Sequence, residues 1–370
     1  MRRSGDQPEM ALLRRLIVGC GTLSLLGCSS ALAHPHVTHV DVERVVRDFD
    51  RLRDSLHIPG MSIAIIEEGS VVWAGGLGFA DRERGRRADE HTLYPIASLT
   101  KPIAATLALQ LVEEGRLGLD DPLSRYHKDF QTDRVRVRHI MTHTAAAFKP
   151  GMKPGDRYEY SGSFYGYLAP VIERASGRAF RDLLIQNVLD SLHMTESVPG
   201  HDVLDHPALA EGYADPLTHL AQPYANDTLA SYPPRFIGSS AGLLSTVVDL
   251  AKFALAFDDD RLLRPATREL AWTPARANDG SILPYGLGWF VQPCGPTRLV
   301  WHYGQWPTFS GLILEVPQQR VTLIALANSN GLSAPFPLAD GDVMTSLFAR
   351  AFLRATPVWD GRSDRCANAG

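Results

Sequence analysis

The chain has 370 residues, 45% of them hydrophobic, and a formal net charge of −4, enough apolar material for one large core or two lobes. So small a charge, with no basic stripe, argues against a nucleic-acid partner. Past the N-terminus, no apolar run reaches the ~20 residues that a membrane-spanning helix needs.

Arg14-Arg15 precede an apolar stretch from 16 to 27, the length of a signal-peptide core and too short to span a bilayer. Two processing sites compete. Leu25-Leu26-Gly27-Cys28 resembles a bacterial lipobox and would make Cys28 the lipidated first residue. Ala31-Leu32-Ala33 resembles an A-x-A cleavage site and would release a soluble periplasmic or secreted protein. The lipobox is preferred, so the expectation is an exported periplasmic lipoprotein, with residues 1–33 as signal and tether and with membrane contact only through the lipid anchor. Cys294 and Cys366 remain as mature thiols that an oxidising compartment would allow to pair. His34-Pro35-His36 with His39 lacks a carboxylate at ligand spacing, and no metal site is expected there.

Residues 61–66 and 71–79 read as strands joined at Glu67-Glu68-Gly69-Ser70, a hairpin signal. Ile103, Leu107 and Leu111 recur four apart in an apolar run that ends at Glu113-Glu114-Gly115, which predicts a buried helix. Pro102 is tolerated only near a helix start, so that helix begins at about Ser98. Gly115 supplies its stop. The pattern stays mostly helical, with long loops at 149–155 and 215–234, until another amphipathic segment at 247–257. Asp258-Asp259-Asp260 reads as a solvated turn. Strand-like runs return at 286–291, 298–302, 309–314 and 321–327, followed by a helix over 343–353. Strands at both chain ends with helices between them predict an α/β fold. Its sheet would be mixed but mainly antiparallel, built from both chain ends and flanked by helices, with an inserted all-helical lobe. The domain then covers 34–356, with its α/β part at 40–97 and 236–356, its helical lobe at 98–235, and 357–370 as a tail.

Ser98-Leu99-Thr100-Lys101 is the only S-x-x-K in the chain. Among 37 Lys+Arg, the lysines are only Lys101, Lys128, Lys149, Lys153 and Lys252. Arginine is never deprotonated in proteins, whereas a desolvated lysine can take a proton from an attacking hydroxyl. A helix beginning at Ser98 sets the hydroxyl at its positive end and Lys101 one turn on, on the same face. The bland alternative is an N-cap serine beside a surface lysine, and a buried apolar helix is a poor place for one.

More segments follow in a telling order: Ile58-Pro59-Gly60-Met61-Ser62, then Ala97 to Lys101, Leu117-Gly118-Leu119-Asp120-Asp121-Pro122 and Ile140-Met141-Thr142-His143-Thr144. After them come Ser240-Ala241-Gly242-Leu243-Leu244-Ser245-Thr246 and Tyr285-Gly286-Leu287-Gly288-Trp289. From about Val42 to Leu353 the chain thereby resembles the β-lactamase-related serine hydrolases: class C β-lactamases, D,D-carboxypeptidases, D-aminopeptidases and the family VIII-like esterases that share their fold. The resemblance implies a β-lactamase/penicillin-binding-protein-like architecture with Ser98 as nucleophile and Lys101 as base. Pro154-Gly155-Asp156-Arg157-Tyr158-Glu159-Tyr160-Ser161-Gly162 matches the segment that carries the family's Y-x-N, which makes Tyr160 the catalytic phenol, drawn toward phenolate beside a cationic lysine. Gly162 occupies the substrate-binding position where the family usually has an Asn amide, which weighs against efficient β-lactam turnover.

Trp301-His302-Tyr303-Gly304 matches the third motif in its H-x-G form, not K-T-G. His302 would then assist proton relay or hold a substrate carboxylate, with Tyr303 and Gly304 against the substrate. The backbone N–H groups of Ser98 and Gln305 would form the oxyanion hole. His143 is expected to serve structure, and no cofactor or metal is called for. The resulting reading is an exported serine hydrolase that cleaves ester or amide bonds through an acyl-serine intermediate. It leans to an esterase or a D-amino-acid peptidase or carboxypeptidase acting on a small ester, amide or peptide, cell-wall material included. The alternative is a weak class C-like β-lactamase, or a penicillin-binding or cell-wall-binding protein with slow or no turnover.

Overall fold

Strand β1 (Gly60–Glu67) divides its side chains between two layers, Ala64 and Ile66 on one face and Met61, Ile63 and Ile65 on the other. Strand geometry sends successive side chains to opposite faces, and because both layers are apolar the strand reads in sequence as a hydrophobic run broken only by Ser62. The computed structural model describes residues 39–128, 130, 133–145, 151–200, 206–214, 222–223 and 237–357. Cys28, His34, His36, Cys366 and both processing sites lie outside the described residues.

With β2 (Ser70–Asp81), β3 (Arg86–Arg87), β4 (Phe290–Cys294), β5 (Thr297–Gln305), β6 (Ser310–Val316) and β7 (Val321–Ala327), β1 forms a seven-stranded sheet ordered β3-β2-β1-β7-β6-β5-β4. All its pairings are antiparallel. The early strand β1 pairs with the late strand β7, Met61 opposite Ala327, so both chain ends build the sheet as expected. The first hairpin turns at Glu68 and Gly69, both at positive φ (49° and 76°).

Five helices frame the sheet: α1 (Val42–Ser55), α2 (Thr100–Glu113), α3 (Leu168–Ser176), α4 (Val247–Asp258) and α5 (Leu347–Arg354). One layer of core joins a sheet face to α2, α3 and α4; the other joins the opposite face to α1 and α5. Helix α1 is not among the elements expected from the sequence. It starts on Asp41, whose carboxylate accepts from Arg44 N–H at 3.0 Å, and its Phe49 meets Phe348 of α5 edge-on at 5.2 Å.

Three expectations shift. The strand expected over 286–291 begins at Phe290, because Gly288 at φ 91° and a Gly286 N–H bond to Trp289 C=O make a turn first. The final helix begins at Leu347, where the Ser346 hydroxyl accepts from Ala349 N–H and separates it from a short 3₁₀ turn at Val343–Thr345. Asp258, expected in a solvated turn, is half-buried at the end of α4, and burial pushes its carboxyl up.

The segment that positions the site is α2. All residues from Thr100 to Leu109 are buried; Ile103, Leu107 and Leu109 each contribute about 1.5–3 kcal/mol of apolar burial. That burial encloses Lys101 as well.

Candidate active site

Ser98 lies in a 3₁₀ turn, Ala97–Leu99, that runs directly into α2. The turn is tight: Ala97 adopts φ 49°, a left-handed conformation that costs a residue with a Cβ about 1–2 kcal/mol. Leu99 N–H bonds to Ile96 C=O and the Thr100 hydroxyl to Ala97 C=O, at 3.1 and 2.7 Å. A strained, well-bonded turn holds the Ser98 hydroxyl at a fixed point at the head of a buried helix.

Lys101 Nζ lies 2.7 Å from Ser98 Oγ and donates to Ser240 C=O at 3.0 Å. Its side chain is fully buried, and burial alone lowers the amine from 10.5 to about 7. When the amine is neutral, the short contact runs from the Ser98 hydroxyl to the nitrogen lone pair, the arrangement a general base requires. The Nζ also sits 5.2 and 5.6 Å from the ring centroids of Tyr160 and Tyr165.

Tyr160 joins this pair, but not as a phenolate. Its ring is half-buried while its hydroxyl oxygen is fully enclosed. Burial, then Tyr303, push the phenol well above its ordinary value of 10, with the Ser98 hydroxyl pulling the other way. The hydroxyl is close enough to Ser98 to feel it, yet among the described residues it makes no hydrogen bond of regular geometry. The expectation of a phenol drawn toward phenolate is corrected for this state, because the lysine that was to draw it is itself desolvated.

His302, on β5, is also fully buried. Nδ1 contacts Tyr303 C=O at 2.7 Å and Nε2 contacts the Tyr285 hydroxyl at 2.9 Å. A carbonyl only accepts, so Nδ1 carries the proton and Nε2 accepts from Tyr285. Burial, with Lys101 adding to it, holds the ring well below 6.5. The structure therefore corrects one expectation: a buried, neutral imidazole with both nitrogens engaged has nothing left to hold a carboxylate. Tyr303 is also turned inward. It is 6% exposed, and its ring packs 5.5 Å from that of Tyr160, so it supports the phenol and does not line an open substrate surface.

Gly304 is where β5 meets the nucleophile turn. A Cβ there would lie 2.4 Å from Ile96 C=O, so only glycine permits this approach. Gln305, the next residue, is exposed. Gly162 opens a short helix, Gly162–Tyr165, and among the described residues a Cβ on it would meet nothing within 4 Å. Two participants were not anticipated. Ser240 contributes its carbonyl to Lys101; His143, assigned to structure, lies 4.4 Å from the Tyr160 ring. Cys294 is disulfide-bonded.

The beta-lactamase family model matches residues 44–343. Penicillin-binding protein 4* of Bacillus subtilis (strain 168) is 26% identical over 319 residues, 76% of this chain and 70% of that protein. Protein flp of Staphylococcus aureus (strain MRSA252) is 26% identical over 320 residues; the match takes in 75% of this chain and only 61% of flp. Among solved structures, the octameric penicillin-binding protein homologue from Pyrococcus abyssi superposes with a TM-score of 0.70 at 25% identity, covering 86% of this chain and 78% of that one. The D-alanine carboxypeptidase AmpC from Burkholderia cenocepacia shares the fold with a TM-score of 0.69 at 22% identity, covering 85% and 97%. With the family model matched across most of its length and the fold shared with solved members, the chain belongs to the beta-lactamase family of serine hydrolases.

Proposed function

We propose that the protein is an exported serine acyl hydrolase acting on small esters or amides. The observation that carries this reading is the 2.7 Å contact between Ser98 Oγ and the buried Nζ of Lys101. The neutral amine takes the hydroxyl proton as Ser98 attacks the substrate carbonyl. Negative charge develops on the carbonyl oxygen, facing the N–H groups of Ser98 and Gln305. The Tyr160 hydroxyl gives its proton to the leaving group and recovers one from the Lys101 ammonium. Water then attacks the acyl-serine, its proton passes through the same pair to Ser98 Oγ as the bond to the acyl group breaks, and the acid leaves.

Two observations lean toward an esterase, or a peptidase whose substrate presents no carboxylate at this point. His302 is neutral and fully engaged where a carboxylate-binding lysine would sit. Gly162 leaves open the space an amide would fill. The relatives called penicillin-binding protein and D-alanine carboxypeptidase support the second reading, a protein acylated by β-lactams or acting on cell-wall peptides. Turnover of p-nitrophenyl esters, a D-alanyl-D-alanine peptide and a chromogenic cephalosporin separates them: fast ester hydrolysis with slow cephalosporin turnover fits the first. Persistent cephalosporin labelling without turnover of any substrate fits the second. Export rests on the 16–27 apolar stretch and Cys28; mass analysis of the mature N-terminus tests it, lipidated Cys28 against a start at His34.

A further inference from the structure

His143 is a buried ionisable side chain for which the proposed chemistry has no use. It is 3% exposed and holds φ 54°. Its Nδ1 accepts from the backbone N–H of Ser161 at 3.1 Å, so in the neutral ring the proton is on Nε2. Its carbonyl accepts from Glu159 N–H at 2.8 Å. The residues on either side of Tyr160 are thus tied to one residue, while the imidazole lies under the phenol, 4.4 Å between centroids and tilted by 34°.

Among the described residues Nε2 has no partner, and an unpaired buried donor is costly. A phenylalanine would fill the same space without that cost, but it would leave Ser161 N–H unpaired. An asparagine would offer the acceptor without the flat ring. Only histidine supplies both. The groups facing the ring are Tyr158, Tyr160, Tyr165 and Tyr285, with Lys101 and His302 in electrostatic range. Burial first, then these two cations-in-waiting, keep His143 well below 6.5.

We infer that His143 is the positioning residue for Tyr160: its Nδ1 and carbonyl fix the backbone on both sides of the phenol and so set the hydroxyl over the Ser98–Lys101 pair. This rests on the reading of Tyr160 as the proton relay. Where the relay is misplaced by ~1 Å, the chemical step slows about 100-fold while substrate binding is left intact.

The test compares p-nitrophenyl butyrate hydrolysis by the full chain with His143→Phe and His143→Asn. The asparagine keeps an acceptor near the Nδ1 position and tolerates positive φ. Expected for His143→Phe is a fall in kcat of about 100-fold with KM within about 3-fold, and for His143→Asn recovery to within about 10-fold of the parent. Equal kcat in all three proteins, or an asparagine variant as slow as the phenylalanine one, overturns the inference. If the phenylalanine variant fails to fold, ¹⁵N spectra of the histidine rings in the unmodified protein decide. Nε2–H with no titration between pH 5 and 8 supports the inference, and an Nδ1–H tautomer or a midpoint near 6.5 overturns it. An inactive parent, or activity that survives Ser98→Ala, would be a failure of the proposed function instead.

Discussion

Burial of Lys101 sets the sign of the protein's response to pH. The amine falls from 10.5 to about 7 through desolvation alone, and only its neutral form can take the Ser98 proton. At pH 5 about 1% of the amine is neutral, and at pH 8 about 90%. The value of kcat/KM should therefore rise about 100-fold from pH 5 to a plateau above pH 8. Tyr160 is held well above its ordinary 10, and His143 and His302 well below their ordinary 6.5, so the transition is assigned to Lys101. Stability is linked to the same proton. The unfolded chain keeps it up to the ordinary lysine value, while the folded chain releases it above about pH 7. Between those limits stability climbs with pH by at most about 1.4 kcal/mol per unit, and below pH 7 the whole penalty, roughly 5 kcal/mol at most, is present. Lys101→Met removes the penalty at nearly constant volume, so the variant should be inactive yet more stable than the parent at pH 7, with the gap narrowing by pH 9. Initial rates on p-nitrophenyl butyrate from pH 5 to 9, with denaturant titrations of both proteins at pH 7 and 9, measure both effects. A flat rate profile, or a methionine variant less stable at pH 7, would refute the reasoning.

Gly304→Ala forces a Cβ to within 2.4 Å of the Ile96 carbonyl; backbone must move, and kcat should drop by about 100-fold, read against a melting curve that shows the protein still folded. Glu315 is buried with both oxygens unpaired among the described residues, and burial holds its carboxyl well above 4.5. The folded chain therefore keeps a proton that the unfolded chain loses above that value, and stability from this group falls as pH rises, by at most about 1.4 kcal/mol per unit. Denaturant titrations at pH 5 and 8 should show Glu315→Gln removing that part of the slope; an unchanged slope would count against it. Gly162→Asn meets open space at Cβ and has no positive φ, so stability should change by no more than about 0.5 kcal/mol. Cephalosporin turnover relative to ester turnover should rise, as steady-state rates on the two substrates will show.

What the sequence revealed and what it hid divide along physical lines. Ser98 and Lys101 were legible because one helical turn brings them together, so spacing three apart is already geometry. The β1–β7 closure was legible as well, since strand runs at both ends have to pair somewhere. His143 was not, because its neighbours Tyr160 and Tyr165 arrive from one later segment and Tyr285 from another, and no local pattern records such a meeting. Tyr160 departs from its expected phenolate character for a related reason: a neighbouring lysine suggests charge, whereas enclosure in the fold decides it. The Ser240 carbonyl offers no side-chain signal at all, being backbone. Helix α1 does carry a local signal, the Asp41 cap and the Val45/Phe49 spacing.

The central claim is that Ser98 is a nucleophile activated by Lys101, and intact-protein mass spectrometry after exposure to a fluorophosphonate tests it most directly. A single phosphonyl adduct should appear, map to Ser98, and vanish in Ser98→Ala. It should form about 100-fold more slowly at pH 5 than at pH 8, following the neutral fraction of Lys101. No adduct, or one that persists in Ser98→Ala, would contradict the account.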